Sequence, residues 1–244
     1  AEVSRASREV LLHLGPSAGD LLLAELKRSR NPEIRMVSVD LIAQLLSQEQ
    51  SAGGTFTRSF RSLLLEIEHA DDHPWYYLRN LLLVIRKIGD EGFLEWIGRF
   101  LASEDARVRQ EALVACAQMK GDAARDMLKS AIVDVELATP DALDAVCSAL
   151  QDDPEFDPIA FLAGLIDRSP MEPVRLAAVI RLATMDDDDA VDRLAPILNR
   201  KRGLIGRKPY YPEPLREAAA RELARRDTPL AQRALRDLAL DPSE

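Results

Sequence analysis

The stretch Asp105-Ala106-Arg107-Val108-Arg109 decides how the rest of the chain reads: a polar turn, an apolar residue, an Arg, and then a helix rich in Ala and Leu. Ala and Leu are strong helix formers. The phrase recurs as Asn31-Pro32-Glu33-Ile34-Arg35, as Met171-Glu172-Pro173-Val174-Arg175 and as Pro212-Glu213-Pro214-Leu215-Arg216. A looser copy runs from His73-Pro74-Trp75 to Leu78-Arg79. Aligned on the Arg, the preceding residues are Ile34, Leu78, Val108, Val174 and Leu215. Three residues after it stand Ser38, Leu82, Ala112, Ala178 and Ala219; seven after it stand Ile42, Arg86, Cys116, Leu182 and Leu223. Those offsets lie on one stripe of a helix. The stripe is apolar or small except at Arg86, and its small residues would let a neighbouring helix approach closely.

Working outward, thirty residues separate Arg79 from Arg109, and sixty-six separate Arg109 from Arg175, which is twice thirty-three. A further copy is therefore expected near residue 140. Thr139-Pro140-Asp141 stands there, an N-cap Thr followed by Pro at the first helical position. Leu143, Cys147 and Leu150 continue its stripe, so this unit has lost only its Arg. Between these helices lie others with helical apolar spacing: 21–27, 60–67, 93–101, 123–133, 159–166, 191–198 and 230–240. The pattern predicts an all-α chain of about six to seven antiparallel helix pairs. The units span roughly 16–50, 56–89, 90–121, 122–153, 156–187 and 189–227, with partial units at 1–15 and 228–244. Neither partial unit has an obvious polar cap, and repeat stacks need one. The expectation is a single repeat domain cut from a longer protein.

These repeated turns and stripes resemble the HEAT repeat family, in particular its bacterial branch related to phycocyanobilin-lyase-type repeats. The resemblance covers nearly the whole chain. It implies a right-handed α-α superhelix whose first helices form the convex back and whose second helices, beginning near Arg35, Arg79, Arg109, Thr139, Arg175 and Arg216, line a concave face. The family often pairs its Arg ladder with an Asp ladder; here the acidic residues fall at irregular offsets, so that ladder is not carried over. The five Arg residues are expected to be structural, with each guanidinium bridging the turns of adjacent units.

Composition narrows the function classes. The chain is 47% hydrophobic and 30% charged, enough for a core and a soluble surface. A net charge of −9 argues against a general nucleic-acid binder, which needs a basic face. No apolar stretch approaches a membrane span, and two cysteines, Cys116 and Cys147, fit a cytoplasmic setting better than a disulfide framework. The cysteines share a column in adjacent units. Packed helix axes lie about 8–10 Å apart, farther than the Cα separation of about 7 Å that a disulfide tolerates, so both read as small core residues. His13, His69 and His73 are scattered without ligand spacing. The run Asp186-Asp187-Asp188-Asp189 lacks the spacing of a Ca²⁺ loop and suits a helix N-terminus. No metal, cofactor or catalytic constellation is expected.

Two segments stand out as candidate binding regions. Trp75-Tyr76-Tyr77 is the densest aromatic cluster, and a helix starting at Pro74 turns at least one ring outward. Trp and Tyr are favoured interface anchors; packing between helices is the competing reading. The second segment reads Arg200-Lys201-Arg202-Gly203-Leu204-Ile205-Gly206-Arg207-Lys208-Pro209-Tyr210-Tyr211. Five basic residues reverse the sign of an acidic chain, and two glycines with a proline predict a loop. Arg, apolar and Tyr residues together have the composition of an interface core, facing an acidic or phosphorylated protein partner. Alternatively, the apolar residues and tyrosines fold back over the last unit. The polar stretch 47–57, with Gly53-Gly54, is a second break in regularity. The resulting expectation is a non-catalytic protein-interaction scaffold. The alternative is a small-ligand or nucleotide sensor, or a lyase-like enzyme.

Overall fold

The computed structural model describes residues 5–49, 54–67, 72–134, 136–198, 200–203, 206–209 and 211–239. Fourteen α-helices run through the described residues, and the chain divides into two compact units, Ala1–Glu136 and Leu137–Glu244. The first unit holds α1 (Arg5–His13), α2 (Pro16–Arg28), α3 (Pro32–Gln48), α4 (Thr55–Leu65), α5 (Trp75–Ile88), α6 (Leu94–Leu101), α7 (Ala106–Gln118) and α8 (Asp122–Asp134). Within it, α3 packs on α5 and α5 on α7, while α2 packs on α4 and α6 on α8; α2 and α6 also pack on α3 and α7. The unit is thus a layer of first helices laid on a layer of second helices.

The second unit repeats that scheme with α9 (Pro140–Leu150), α10 (Pro158–Arg168), α11 (Glu172–Thr184), α12 (Asp188–Leu198), α13 (Glu213–Ala224) and α14 (Pro229–Ala239). Helices α9, α11 and α13 form one layer and α10, α12 and α14 the other. Between α12 and α13 a two-stranded antiparallel ribbon pairs β1 (Arg200–Gly203) with β2 (Gly206–Pro209). The segment read as a loop is therefore a hairpin in its described backbone. Gly203 pairs with Gly206 and so leaves only two residues between the strands, the shortest common hairpin connection.

The repeated turns start helices for the expected reason. The side chains of Asn31, Asp105 and Thr139 accept hydrogen bonds from the backbone N–H groups of Glu33 (2.9 Å), Arg107 (2.9 Å) and Ala142 (3.3 Å), each satisfying an otherwise orphaned donor. Pro32, Pro140, Pro158, Pro173 and Pro214 occupy first-turn positions, where a missing N–H costs nothing. Gly89 ends α5 at φ 66°, a left-handed conformation that glycine adopts without penalty.

The aligned stripes form the core. Leu78, Val108, Val174 and Leu215 are buried, as are all five residues three positions after the Arg. Ile34, in the first turn of α3, is exposed. Arg86 is half-exposed and its Nε bonds Gln118 Oε1 on α7. No helix of the described residues is long and apolar enough to cross a membrane.

Candidate interaction surface

Trp75 and Tyr76 open α5 at the edge of the second-helix layer. Both are half-exposed, whereas Tyr77 is buried beneath them. The Arg35 guanidinium of α3 lies 4.9 Å from the Tyr76 ring centroid, and the Arg107 guanidinium of α7 lies 4.6 Å from that of Trp75. The two rings therefore tie three successive second helices through cation–π contacts. Arg107 is itself held by Asp105, whose Oδ2 accepts from Nη2 at 2.6 Å. That bond from Arg107 outweighs the effect of burial and lowers the Asp105 carboxyl below its ordinary range.

The Arg residues of the aligned turns do not share the expected geometry. Arg35 donates to Ser29 O at 3.0 Å, Arg109 to Ser103 O and Glu104 O at 2.7 Å each, and Arg175 to Ile166 O at 2.7 Å. Ile166 lies in the last turn of α10, Ser29 caps α2, and Ser103 and Glu104 lie in the turn after α6, so these acceptors belong to the same repeat's own interhelical turn and not to an adjacent repeat. The last carbonyls of a helix have no intrahelical partner, and a guanidinium one turn into the next helix reaches them directly. Arg79 departs again: its Nε bonds Glu111 Oε1 on α7 at 2.9 Å. Arg216 Nε is buried and has no hydrogen-bond partner among the described residues.

Arg226, which the sequence reading missed, joins neighbouring repeats of the second unit through backbone acceptors. Its Nε donates to Ala183 O at 2.8 Å; its Nη2 donates to Ala183 O at 2.5 Å and also to Met185 O. It follows α13 in an unremarkable Arg225-Arg226-Asp227 run outside the aligned columns, so no sequence signal marked it.

Of the basic segment, the backbone register sets Lys201 opposite Lys208 and Arg202 opposite Arg207. Arg200 faces Pro209. Leu204, Ile205 and Tyr210 lie outside the described residues. Tyr211 is described: its hydroxyl donates to Asp167 Oδ1 on α10 at 2.5 Å, so the chain folds back here.

The polar break near residue 54 has a local function. Glu49, just past α3, accepts from Phe56 N (3.0 Å), Thr57 N (2.7 Å) and Thr57 Oγ1 (2.9 Å), capping α4 from a distance. Burial raises its carboxyl, but these bonds and the nearby Arg58 outweigh that, and the net effect is a lowered pKa. A side chain at Gly54 would collide with this carboxylate.

Burial pushes the Cys116 thiol up to about 12 and the Cys147 thiol to about 11, and both are free. Asp187 Oδ1 accepts from Asp189 N at 2.8 Å at the start of α12, the helix-terminus use of the acidic run. Among the described residues no group of His, Cys, Asp and Glu side chains could hold a metal ion. A groove of about 690 Å³ lies between α2 and α4, with Tyr77 at its floor. No protein-family model matches the chain, and no curated protein is significantly similar to it.

Proposed function

We propose that the layered units are segments of a HEAT-like right-handed α-α superhelix and that the chain is a non-catalytic scaffold for another protein. One observation carries this reading. Trp75 and Tyr76 stand half-exposed on the second-helix layer, each braced by an Arg from a neighbouring helix. An aromatic anchor that is already immobilised loses little side-chain entropy on binding, and Trp, Tyr and Arg are the residues that dominate interface energetics. The basic hairpin supplies a second contact, facing an acidic or phosphorylated region of the same partner.

The test compares partner capture from native lysate by the wild-type chain, by Trp75→Ala/Tyr76→Ala, and by a variant with Arg200, Lys201, Arg202, Arg207 and Lys208 replaced by Ser. Both variants are expected to lose capture while melting within a few degrees of wild type. Unchanged capture overturns the reading, and so does a small ligand or chromophore retained by the purified protein in native mass spectrometry.

A further inference from the structure

The groove between α2 and α4 is bounded by two helix faces with mirrored charge. Asp20, Leu23, Ala24 and Lys27 line it from α2; Thr55, Arg58, Ser59, Ser62 and Leu63 line it from α4, with Glu66 just beyond that helix. The spacings 20, 23, 24, 27 and 55, 58, 59, 62, 66 each keep to one helix face. The two helices run in the same direction along the groove. Gly19 and Phe56 fix this, since a side chain at Gly19 would enter the Phe56 ring, so the N-terminal ends of α2 and α4 touch. One end of the groove therefore carries Asp20 beside Arg58, and the other carries Lys27 beside Glu66. Small and apolar residues fill the middle.

That pattern changes sign along each helix and again across the groove. Rotation by a two-fold axis perpendicular to the helices sets Asp20 against the second copy's position 27, and Arg58 against its position 66. Rotation about an axis parallel to the helices sets Asp20 against position 58, and Lys27 against position 66. Every juxtaposition in both orientations is between opposite charges. All four charged residues are exposed, and Asp20, Lys27 and Glu66 form no ion pair with another described residue. Isologous contact, in which one patch meets its own copy, needs this kind of self-complementarity.

We propose that the α2–α4 face is a homodimer interface, on which a second copy of this chain docks about a two-fold axis. The interface is distinct from Trp75, Tyr76 and the basic hairpin, so it stands or falls separately from partner capture. The pairs are solvent-exposed and screened by salt, so the dimer is expected to weaken as ionic strength rises.

The experiment is sedimentation equilibrium of the full chain at low ionic strength across a concentration series. The expected mass climbs from 27.1 kDa toward twice that value. Lys27→Glu meets a like charge at both symmetric contacts and is expected to weaken the dimer by about tenfold. Two charge swaps then separate the orientations. Asp20→Lys/Lys27→Asp restores association when α2 faces α2; Lys27→Glu/Glu66→Lys restores it when α2 faces α4. Restoration by either swap supports the interface. A wild-type chain monomeric at every concentration overturns it, as does a dimer indifferent to Lys27→Glu or one that neither swap restores. Thermal melts of each variant at a concentration where wild type is monomeric identify any that fail to fold, and Lys27→Gln, a neutral replacement expected to give an intermediate affinity, then takes the place of Lys27→Glu.

Discussion

The two units use the same two-layer scheme but hold it differently. In the first, aromatic rings fill the space between layers: Phe56, Phe60, Phe93, Phe100 and Tyr77 are buried, and Phe60 meets Phe93 edge-on with centroids 5.6 Å apart. Its second helices are joined by side chain to side chain, through Asp40 and Lys87 at 3.1 Å, Arg79 and Glu111 at 2.9 Å, and Arg86 with Gln118. The second unit has an aliphatic core of Leu143, Leu150, Val174, Leu182, Leu194, Ile197 and Leu223. Its second helices α9 and α11 are likewise joined side chain to side chain, through Asp144 and Arg181 at 2.8 Å, and Arg226 adds a joint from side chain to backbone, on Ala183 and Met185. A carbonyl at a helix end is present whatever the residue, so the second kind of joint tolerates sequence drift at the acceptor. The first kind needs both partners and is sensitive to either.

The sharpest break in this contrast is the core itself. Phe60→Ala is expected to cost about 3–5 kcal/mol, and Leu194→Ala about 2–5 kcal/mol, read from denaturant unfolding. Two separate transitions, each moved by only one of the substitutions, would show that the units unfold independently. A single transition moved by both would show one cooperative body.

Next comes Arg226→Ala, which leaves the carbonyls at the end of α11 without their donor. A hydrogen bond from a charged group contributes about 1.5–3 kcal/mol, and a loss in that range is expected. Arg226→Lys would recover only part of it, because an ammonium lacks the planar fork that reaches several carbonyls at once. Equal stability of both variants with wild type would show that the bridge is decorative.

Within the ladder, Arg109→Ala is expected to cost about 1–2 kcal/mol, more than Arg79→Ala, which breaks a pair with substantial solvent contact and costs about 0.2–1 kcal/mol. Raising salt should shrink the Arg79 effect and leave the Arg109 effect nearly unchanged. The reverse order would invalidate the distinction between the two kinds of joint.

The smallest effect is that of pH on the first unit. The Glu49 carboxyl is lowered in the folded chain, so its contribution is fully present above its ordinary value of 4.5. The contribution disappears as pH falls through the lowered value, because the unfolded chain then binds the proton more readily. Glu49→Gln is expected to flatten this acid-side decline. An unchanged pH profile of the melting temperature would remove Glu49 as its source.

Much of the helix plan was legible in the sequence. Thr139-Pro140 announced α9 without any Arg to align on, because an N-cap hydroxyl and a first-turn proline satisfy local constraints that act within four residues. The burial of Ala112, Ala178 and Ala219 followed from a periodicity that any helix must obey. The hairpin was less legible. Gly203 and Gly206 mark a turn equally well in a loop or a ribbon, and strand pairing depends on a register that two glycines do not specify.

The sequence by itself determined where helices begin, which stripe they bury and where the charge reverses sign, since these depend on neighbours a few residues apart. Only the tertiary structure decided that Arg35 and Arg107 brace Tyr76 and Trp75, that Arg226 spans to Ala183, and that α2 and α4 bring Asp20, Arg58, Lys27 and Glu66 to the two ends of one groove. Those contacts join residues about thirty to forty positions apart. Their formation depends on how closely two helices approach, and that distance is set by core volume shared among several helices.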